Sequence, residues 1–358
     1  MQTKKSSMIA MVVAAVALPL CYANVGERVA FVTNKNPSKI SQLKLFKNPF
    51  GNAPELEPLT AEEKSQMVLD DLGMESSTEP RVFYTDPKRA VDIATAFMPF
   101  ILRLGSGSFA EGHKLNIIPI DESKYTFSTI TDKYQIEETC ALDAPPTFNR
   151  GPIVLYEFEA CPFCRKVRES VSILSLEVEF RPCPQGSRFR KEIKEEFGNK
   201  ATFPFMRDPN TGVEMFESDD IIKYLFNTYG KDGTVPSSLE GNIVNTLTAG
   251  LGLLLRSGRG SKIRSSDPPE QPLTLWSGEG SPYAKLVKEE LCELQIAHVQ
   301  IGCPRGSVQR QRMFEKTGRF QIPYLEDPNT GASLYESSAI IEYLDKMYGV
   351  KISPVPFM

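Results

Sequence analysis

Two stretches of this chain, each about 80 residues long, match each other landmark by landmark, so any fold it adopts contains the same unit twice. Pro152-Ile153-Val154-Leu155-Tyr156 corresponds to Pro272-Leu273-Thr274-Leu275-Trp276, and Cys183-Pro184-Gln185-Gly186 to Cys303-Pro304-Arg305-Gly306, both 120 residues apart. After a one-residue deletion the offset becomes 119. Phe203-Pro204-Phe205 then matches Ile322-Pro323-Tyr324, Asp208-Pro209-Asn210-Thr211-Gly212 matches Asp327-Pro328-Asn329-Thr330-Gly331, and Glu217-Ser218 matches Glu336-Ser337.

Each copy opens on a short apolar run, Ile153 to Phe158 in the first. A helix follows whose apolar positions Val167, Val171 and Leu174 fall at i, i+4 and i+7, one face of a 3.6-residue period, and the second copy repeats that face as Val287, Leu291 and Leu294. A strand from Val178 to Pro182 comes next, then a charged helix around Lys191 to Phe197. Phe205 to Met206 and Val213 to Phe216 flank Asp208-Pro209-Asn210-Thr211-Gly212, which is turn chemistry. The last helix is expected to start with Ser218 as N-cap and to stop at Gly230, with Ile221, Ile222, Leu225 and Tyr229 facing inward. This order, βαβ then ββα, is the thioredoxin topology. The expected class is α/β: two tandem thioredoxin-like (βαβ-ββα) domains behind a partly disordered N-terminal targeting region.

The boundaries that follow are a presequence over 1–54, an extension of unassigned role over 55–150, a first domain over 151–231, a linker over 232–270 and a second domain over 271–350. Val91 to Leu104 reads as an apolar helix in the extension, and Ile243 to Leu255 as a connecting helix in the linker. Gly250 to Gly260 follows no strand and is not a phosphate loop. Within the presequence, Lys4 and Lys5 precede an apolar run from Met8 to Leu20 and then Cys21-Tyr22-Ala23, the pattern of a secretory signal. Arg28, Lys35, Lys39, Lys44 and Lys47 with Ser38 and Ser41 follow against one acid, Glu27, which is how a transit peptide is built. Signal plus transit segment resembles the two-part plastid presequence of algae whose plastids lie inside the endomembrane system, with Ala30-Phe31 as the junction. Simple secretion is the alternative. The apolar run is too short to favour a membrane span, so no stable span is expected after processing.

At 358 residues, 41% hydrophobic and 24% charged with a net charge of -4, the chain has no basic excess to neutralise phosphates, and nucleic acid is excluded as a partner. Seven cysteines are too few and too uneven for a secreted disulfide framework. The close pair Cys161 and Cys164 reads as catalytic or as half of a metal site, but His113 and His298 lie far from it and from each other, and no second CxxC exists; no metal is assigned.

A cysteine at a strand-to-helix junction has its thiolate stabilised by the free N–H groups and dipole of the helix start. Cys161 occupies that junction, and Cys164 lies in the first turn, placed to attack a mixed disulfide and release the product. Arg165 and Lys166 add positive potential if they reach back, though plain solvation is the usual fate of such side chains. Pro204, opening a short apolar strand, is expected to follow a cis peptide beside Cys161, and its backbone groups would pair with a cysteinyl peptide like an added strand. In Glu217-Ser218-Asp219 a hydroxyl and open N–H groups suit a carboxylate while the acids suit an ammonium, the two charges of a γ-glutamyl group. Cys183 ends a strand parallel to the first and reads either as a third thiol or, since Cys303 occupies the same place, as a packed small residue. Cys140 and Cys292 read as incidental.

On these residues, each copy resembles the N-terminal, glutathione-binding domain of the glutathione S-transferases, and the first copy resembles a glutaredoxin equally. The pair is similar to tandem-domain proteins of plant and algal plastids. The resemblance implies Cys161 as nucleophile, Cys164 as resolving thiol, and Phe203, Pro204, Glu217 and Ser218 as glutathione contacts, with glutathione as co-substrate. The second copy offers Ser281, Pro323, Glu336 and Ser337 at the equivalent places, but Ser281-Pro282-Tyr283-Ala284 replaces the cysteine pair, so thiol chemistry is lost there. With 41 residues after the first copy and nine after the second, the all-helical domain on which transferases build their second-substrate pocket is not expected after either copy. The expected activity is glutathione-dependent thiol–disulfide exchange with protein or small-molecule disulfides. A glutathione transferase or isomerase with a pocket built between the copies, a non-catalytic interaction module, and a glutathione-bridged iron–sulfur site between chains are the alternatives.

Overall fold

A computed structural model describes residues 60–74, 89–142, 147–241, 243–254, 256 and 258–350, and the presequence lies outside them. The extension supplies α1 (Ala61–Asp71), α2 (Ala90–Leu102) and a small antiparallel sheet of β1 (Lys114–Pro119), β2 (Ser128–Thr129) and β3 (Tyr134–Thr139). The first domain runs β4 (Ile153–Glu157), α3 (Pro162–Ile173), β5 (Glu177–Pro182), α4 (Arg188–Phe197), β6 (Phe205–Asp208), β7 (Val213–Phe216) and α5 (Ser218–Tyr229). After linker helix α6 (Ile243–Leu254), the second domain repeats the order as β8 (Leu273–Ser277), α7 (Pro282–Glu293), β9 (His298–Gly302), α8 (Val308–Thr317), β10 (Tyr324–Glu326), β11 (Ser333–Tyr335) and α9 (Ser337–Tyr348).

Each domain closes its own apolar core. Val167, Val171 and Leu174 of the first meet Ile153, Leu155, Ile221, Ile222 and Leu225, as their spacing requires. Burying each such side chain stabilises by about 1.5–3 kcal/mol. The repeated Asp-Pro-Asn-Thr-Gly turn does more than reverse the chain. Asp208 Oδ1 accepts from the Asn210 N–H at 2.9 Å, and its Oδ2 accepts from the hydroxyls of Tyr224 and Tyr229 at 2.6 and 2.5 Å, which ties the hairpin to α5. Asp327 repeats the clasp with Tyr343 and Tyr348 of the last helix. One local expectation is corrected: α5 begins at Ser218 and its cap is Glu217, held at φ 68°, with Glu336 at φ 67° in the second copy.

The two domains join edge to edge in one eight-stranded sheet, β11-β10-β8-β9-β5-β4-β6-β7. Strands β5 and β9 pair antiparallel, with Val178 opposite Gln300 and Phe180 opposite His298. Glu179 faces Val299, its own equivalent, so a pseudo-twofold axis passes through that pair. The pairing removes what would otherwise be two open sheet edges.

The pseudo-symmetry extends into segments whose relation was not visible in the sequence reading. Helices α2 and α6 pack on each other, α6 against α3 and α2 against α7. Their sequences correspond at an offset of 153: Thr95-Ala96 with Thr248-Ala249, and Arg103, Gly105, Gly107 and Ser108 with Arg256, Gly258, Gly260 and Ser261. The arm after each helix crosses to a loop following an edge strand. The Arg305 N–H donates to Ser108 O at 2.7 Å in the second domain, and the Gln185 N–H to Ser261 O at 2.9 Å in the first. Gly107 and Gly260 have positive φ, and a Cβ on them would lie 3.1 Å from Glu279 Cβ and 2.7 Å from Glu159 Cβ, so neither position accepts a side chain unmoved. Helix α1, started by a capping box in which Thr60 and Glu63 exchange bonds, completes the second core with Val68 and Leu69. The described residues of the extension thus pack into the fold of the two domains. Among the described residues no helix is long and apolar enough to cross a membrane.

Candidate active site

Strand β4 delivers the chain to the start of α3, where Cys161 is the N-cap and Pro162 the first helical residue. The Cys161 sulfur accepts from the Cys164 N–H at 3.2 Å and lies 3.9 Å from the Phe203 carbonyl oxygen. The Phe203–Pro204 peptide is cis, as is Ile322–Pro323. The sequence-derived set of Cys161, Cys164, Phe203 and Pro204 is therefore brought together. The two thiols are polarised oppositely. The thiol and N–H of Cys164 hold the Cys161 thiol below its ordinary range against the opposing burial, while burial and the hydrogen bond to Cys161 push the Cys164 thiol well up. Of the two thiols, Cys161 is thus the one that gives up its proton more readily.

Ser218 is buried and starts α5, and Glu217 is exposed beside it. Asp219, read as a ligand for an ammonium, accepts from Lys166 Nζ at 2.6 Å and keeps its side chain partly open to solvent. That bond draws Lys166 down to 1% exposure, so its fate is not solvation. Nor is Arg165 solvated: its Nε donates to Glu169 at 2.9 Å. Cys183 is fully buried and burial raises its thiol well up, which fits a packed residue rather than a third reactive thiol.

Behind the cysteines lies a buried charged layer spanning the pseudo-axis. Glu169 accepts from Arg165 and from Arg103 Nη2 at 2.7 Å, and its equivalent Glu289 accepts from Arg256 Nη2 at 2.5 Å. Arg103 and Arg256 are the matched residues that end α2 and follow α6. Arg168 pairs with Glu157 and, at 3.3 Å, with Glu159, while Lys285 reaches Glu159 at 2.8 Å from the other domain. Burial pushes Glu157 up to about 7, and Glu159, despite the same burial, is held well below its ordinary value by Arg168, Lys285 and Lys288. Cys292, read as incidental, donates its thiol to Gly260 O at 3.3 Å, just as its equivalent Ser172 donates to Gly107 O at 2.7 Å.

In the second domain Ser281 caps α7 as Cys161 caps α3, its Oγ accepting from the Ala284 N–H at 3.2 Å. Ser337 is buried like Ser218, but Glu336 is engaged by Gln321 Nε2 at 2.9 Å. The sequence reading passed over Arg190 of α4. Its Nε donates to Cys183 O at 2.8 Å and its guanidinium lies 5.1 and 4.6 Å from the ring centres of Phe158 and Phe203, which flank Cys161. The available signal was Arg310, at the same 120-residue offset.

A chain in which the same cis-proline thioredoxin unit occurs twice, one copy with a dithiol, is defined as a tandem thioredoxin-fold protein. Residues 155–233 and 275–351 match the family described as glutathione S-transferase, N-terminal domain, so each of these two stretches is similar to that domain. It is also similar to the glutathione S-transferase-like protein tpcF of Aspergillus fumigatus, 37% identical over 81 residues, 23% of this chain and 36% of that one. The chain thus spans about a third of that relative's length. Among solved structures, a trimeric glutathione transferase of Leishmania is similar at 13% identity and a TM-score of 0.21, over 57% of this chain and 68% of the other.

Proposed function

We propose that this chain is a glutathione-dependent thiol–disulfide oxidoreductase working through its first domain. The observation that carries the reading is a cysteine capping a helix start, its sulfur accepting from the Cys164 N–H at 3.2 Å, beside a cis-proline whose preceding carbonyl lies 3.9 Å from that sulfur. The Cys161 thiolate attacks one sulfur of a disulfide, forming a mixed disulfide and releasing the other sulfur as a thiolate that takes up a proton. Cys164 loses its proton and attacks Cys161, forming the Cys161–Cys164 disulfide and releasing the second thiol. Two glutathione molecules reduce that disulfide and leave as glutathione disulfide. Cys161 is only 3% exposed, which favours slim substrates such as glutathionyl disulfides over folded protein disulfides.

Alkylation of Cys161 against pH in the full chain, with Cys164→Ser for comparison, tests this. A midpoint well below the free-thiol value of about 8.5 together with a glutathione mixed disulfide is expected; an ordinary midpoint and no adduct would sink the reading. The presequence would place the activity in a plastid, which a fluorescent fusion to residues 1–59 tests by where it accumulates.

A second reading, transfer of glutathione to an apolar electrophile, is favoured by one observation. Helix α6 passes Pro162, which a Cβ on Gly250 would meet at 3.8 Å, and it leaves Ile243, Val244, Leu247 and Leu251 exposed. Conjugation that survives Cys164→Ser while disulfide reduction disappears would favour transfer.

A further inference from the structure

The two domains are not equally open. In the second, the segment from Phe109 to Thr139 lies over the loop Cys303-Pro304-Arg305-Gly306 and over α8. Glu138, its side chain 1% exposed, accepts from Arg305 Nε at 2.6 Å and Arg310 Nη1 at 3.4 Å, and lies 3.1 Å from His113 Nε2. The Tyr125 hydroxyl accepts from Arg310 Nη1 at 3.1 Å, and its ring packs 4.9 Å from Phe320, two residues before Ile322-Pro323. The Tyr125 N–H donates to Gln311 Oε1 at 2.7 Å. A carboxylate and an aromatic ring supplied by the chain itself thus sit against the margin of the degenerate site.

The first domain has the same receptor without the occupant. Arg190 is the equivalent of Arg310, and each donates its Nε to the carbonyl of the equivalent cysteine, Cys183 or Cys303. Each guanidinium lies over a phenylalanine just before the cis-proline, Arg190 at 4.6 Å from Phe203 and Arg310 at 4.5 Å from Phe320. The arm at Lys262 that corresponds to Phe109 leads directly to β8, so among the described residues no insert covers this side. Among the described residues, Arg190 has no carboxylate partner. A guanidinium held by aromatic rings, with two nitrogens left to donate, is a receptor for a carboxylate.

We propose that the insert occupies in the second domain the position that a carboxylate-ended thiol peptide takes in the first, so that the chain binds one such ligand, with Arg190 as receptor for its C-terminal carboxylate. Glu138 is the internal counterpart of that carboxylate. This rests on the reading above that the ligand is glutathione, whose glycyl end supplies the carboxylate.

The test is calorimetric titration of the reduced full chain, its Arg190→Gln and Arg190→Lys variants, with glutathione and with glutathione whose glycyl carboxylate is amidated. The wild type is expected to bind one glutathione per chain and the amide on the order of ten- to a hundredfold more weakly, the worth of a charge-assisted hydrogen bond. Arg190→Gln should bind both ligands equally weakly, and Arg190→Lys should keep part of the preference. Discrimination by the wild type that persists undiminished in Arg190→Gln, equal binding of the two ligands by the wild type, or a glutathione on each domain would each overturn the proposal and leave the glutathione reading standing. Equal weakening of both ligands in Arg190→Gln, with the ratio preserved, would reduce Arg190 to a packing role and overturn it too. No glutathione binding by the wild type would overturn the reading itself and this inference with it.

Discussion

Replacing Glu169 with Gln should unfold much of what the charged layer holds. The carboxylate is 0% exposed and accepts from Arg165 Nε at 2.9 Å, from Arg103 Nε at 3.1 and 3.2 Å and from Arg103 Nη2 at 2.7 Å. An amide keeps one acceptor oxygen, turns a donor toward the guanidinium groups, leaves Arg103 buried without its counter-charge and leaves Arg165 to the charge of Glu279 alone. Breaking a buried pair in this way costs about 3–5 kcal/mol. For a body of this size that corresponds to a fall in Tm of about 6 to 20 °C. Arg103 also donates to Ser238 O at 2.6 Å and to Thr248 Oγ1 at 3.1 Å, so its release loosens the seat of α6 as well. Pseudo-symmetry supplies the internal control: Glu289→Gln strands Arg256 in the same way, and the two losses should agree within about 1 kcal/mol. Removing the exposed Lys191–Glu195 pair through Glu195→Gln should change stability by no more than about 0.5 kcal/mol. Urea unfolding followed by circular dichroism measures all three. A loss below about 1 kcal/mol for Glu169→Gln, or one no larger than that of Glu195→Gln, would refute the claim that the layer is a stabilising element whose charges depend on each other.

Other expectations follow from single residues. Gly260→Ala should destabilise by about 1–3 kcal/mol, because φ is +74° and the new methyl would lie 2.7 Å from Glu159 Cβ, whereas Gly212→Ala, at positive φ in open space, should cost less; thermal melts compare them. His298 stacks on Phe180, its Nδ1 lies 3.2 Å from Ile296 O, and burial pulls it down to about 4 from an ordinary 6.5. A folded-state value below the unfolded one means that the unfolded chain takes up the proton first, so stability falls as pH drops from 6.5 toward 4, by at most about 3 kcal/mol. His298→Gln should flatten that part of the stability profile; an unchanged slope would show that other groups set it. Cys164→Ser should trap a glutathione adduct on Cys161, visible as a mass increase, while Cys161→Ser should abolish it.

The sequence made the thioredoxin units legible because their evidence is local and repeated. Alternating burial in Ile153 and Leu155, the helical face of Val167, Val171 and Leu174, and the proline before Phe205 each act within a few residues of chain. The joining of the units was not legible. Glu177, Val178, Glu179, Phe180 and Arg181 alternate as any half-covered strand does, and nothing in that alternation says that β9 closes the edge. Arg165, Lys166, Arg168 and Glu169 look like a solvated helix face, because a charge is read as exposed until its partner is known, and their partners come from β4, the loop after it, α5 and the extension. The α2 and α6 arms carried a signal in Arg103-x-Gly105-x-Gly107-Ser108 and Arg256-x-Gly258-x-Gly260-Ser261. It fell at an offset of 153 rather than 120, since the insert intervenes on one side only.

The edge-to-edge joint has a consequence for how the chain is made. A ribosome releases β5 well before β9, and the two pairing strands are 120 residues apart in the nascent polypeptide. At 5–20 residues per second the first unit waits roughly 6 to 24 s with a bare sheet edge. An edge in that state is a template for pairing with any neighbouring nascent chain. Slowed translation across the linker should therefore lower the soluble yield of this protein more than slowed translation across the insert.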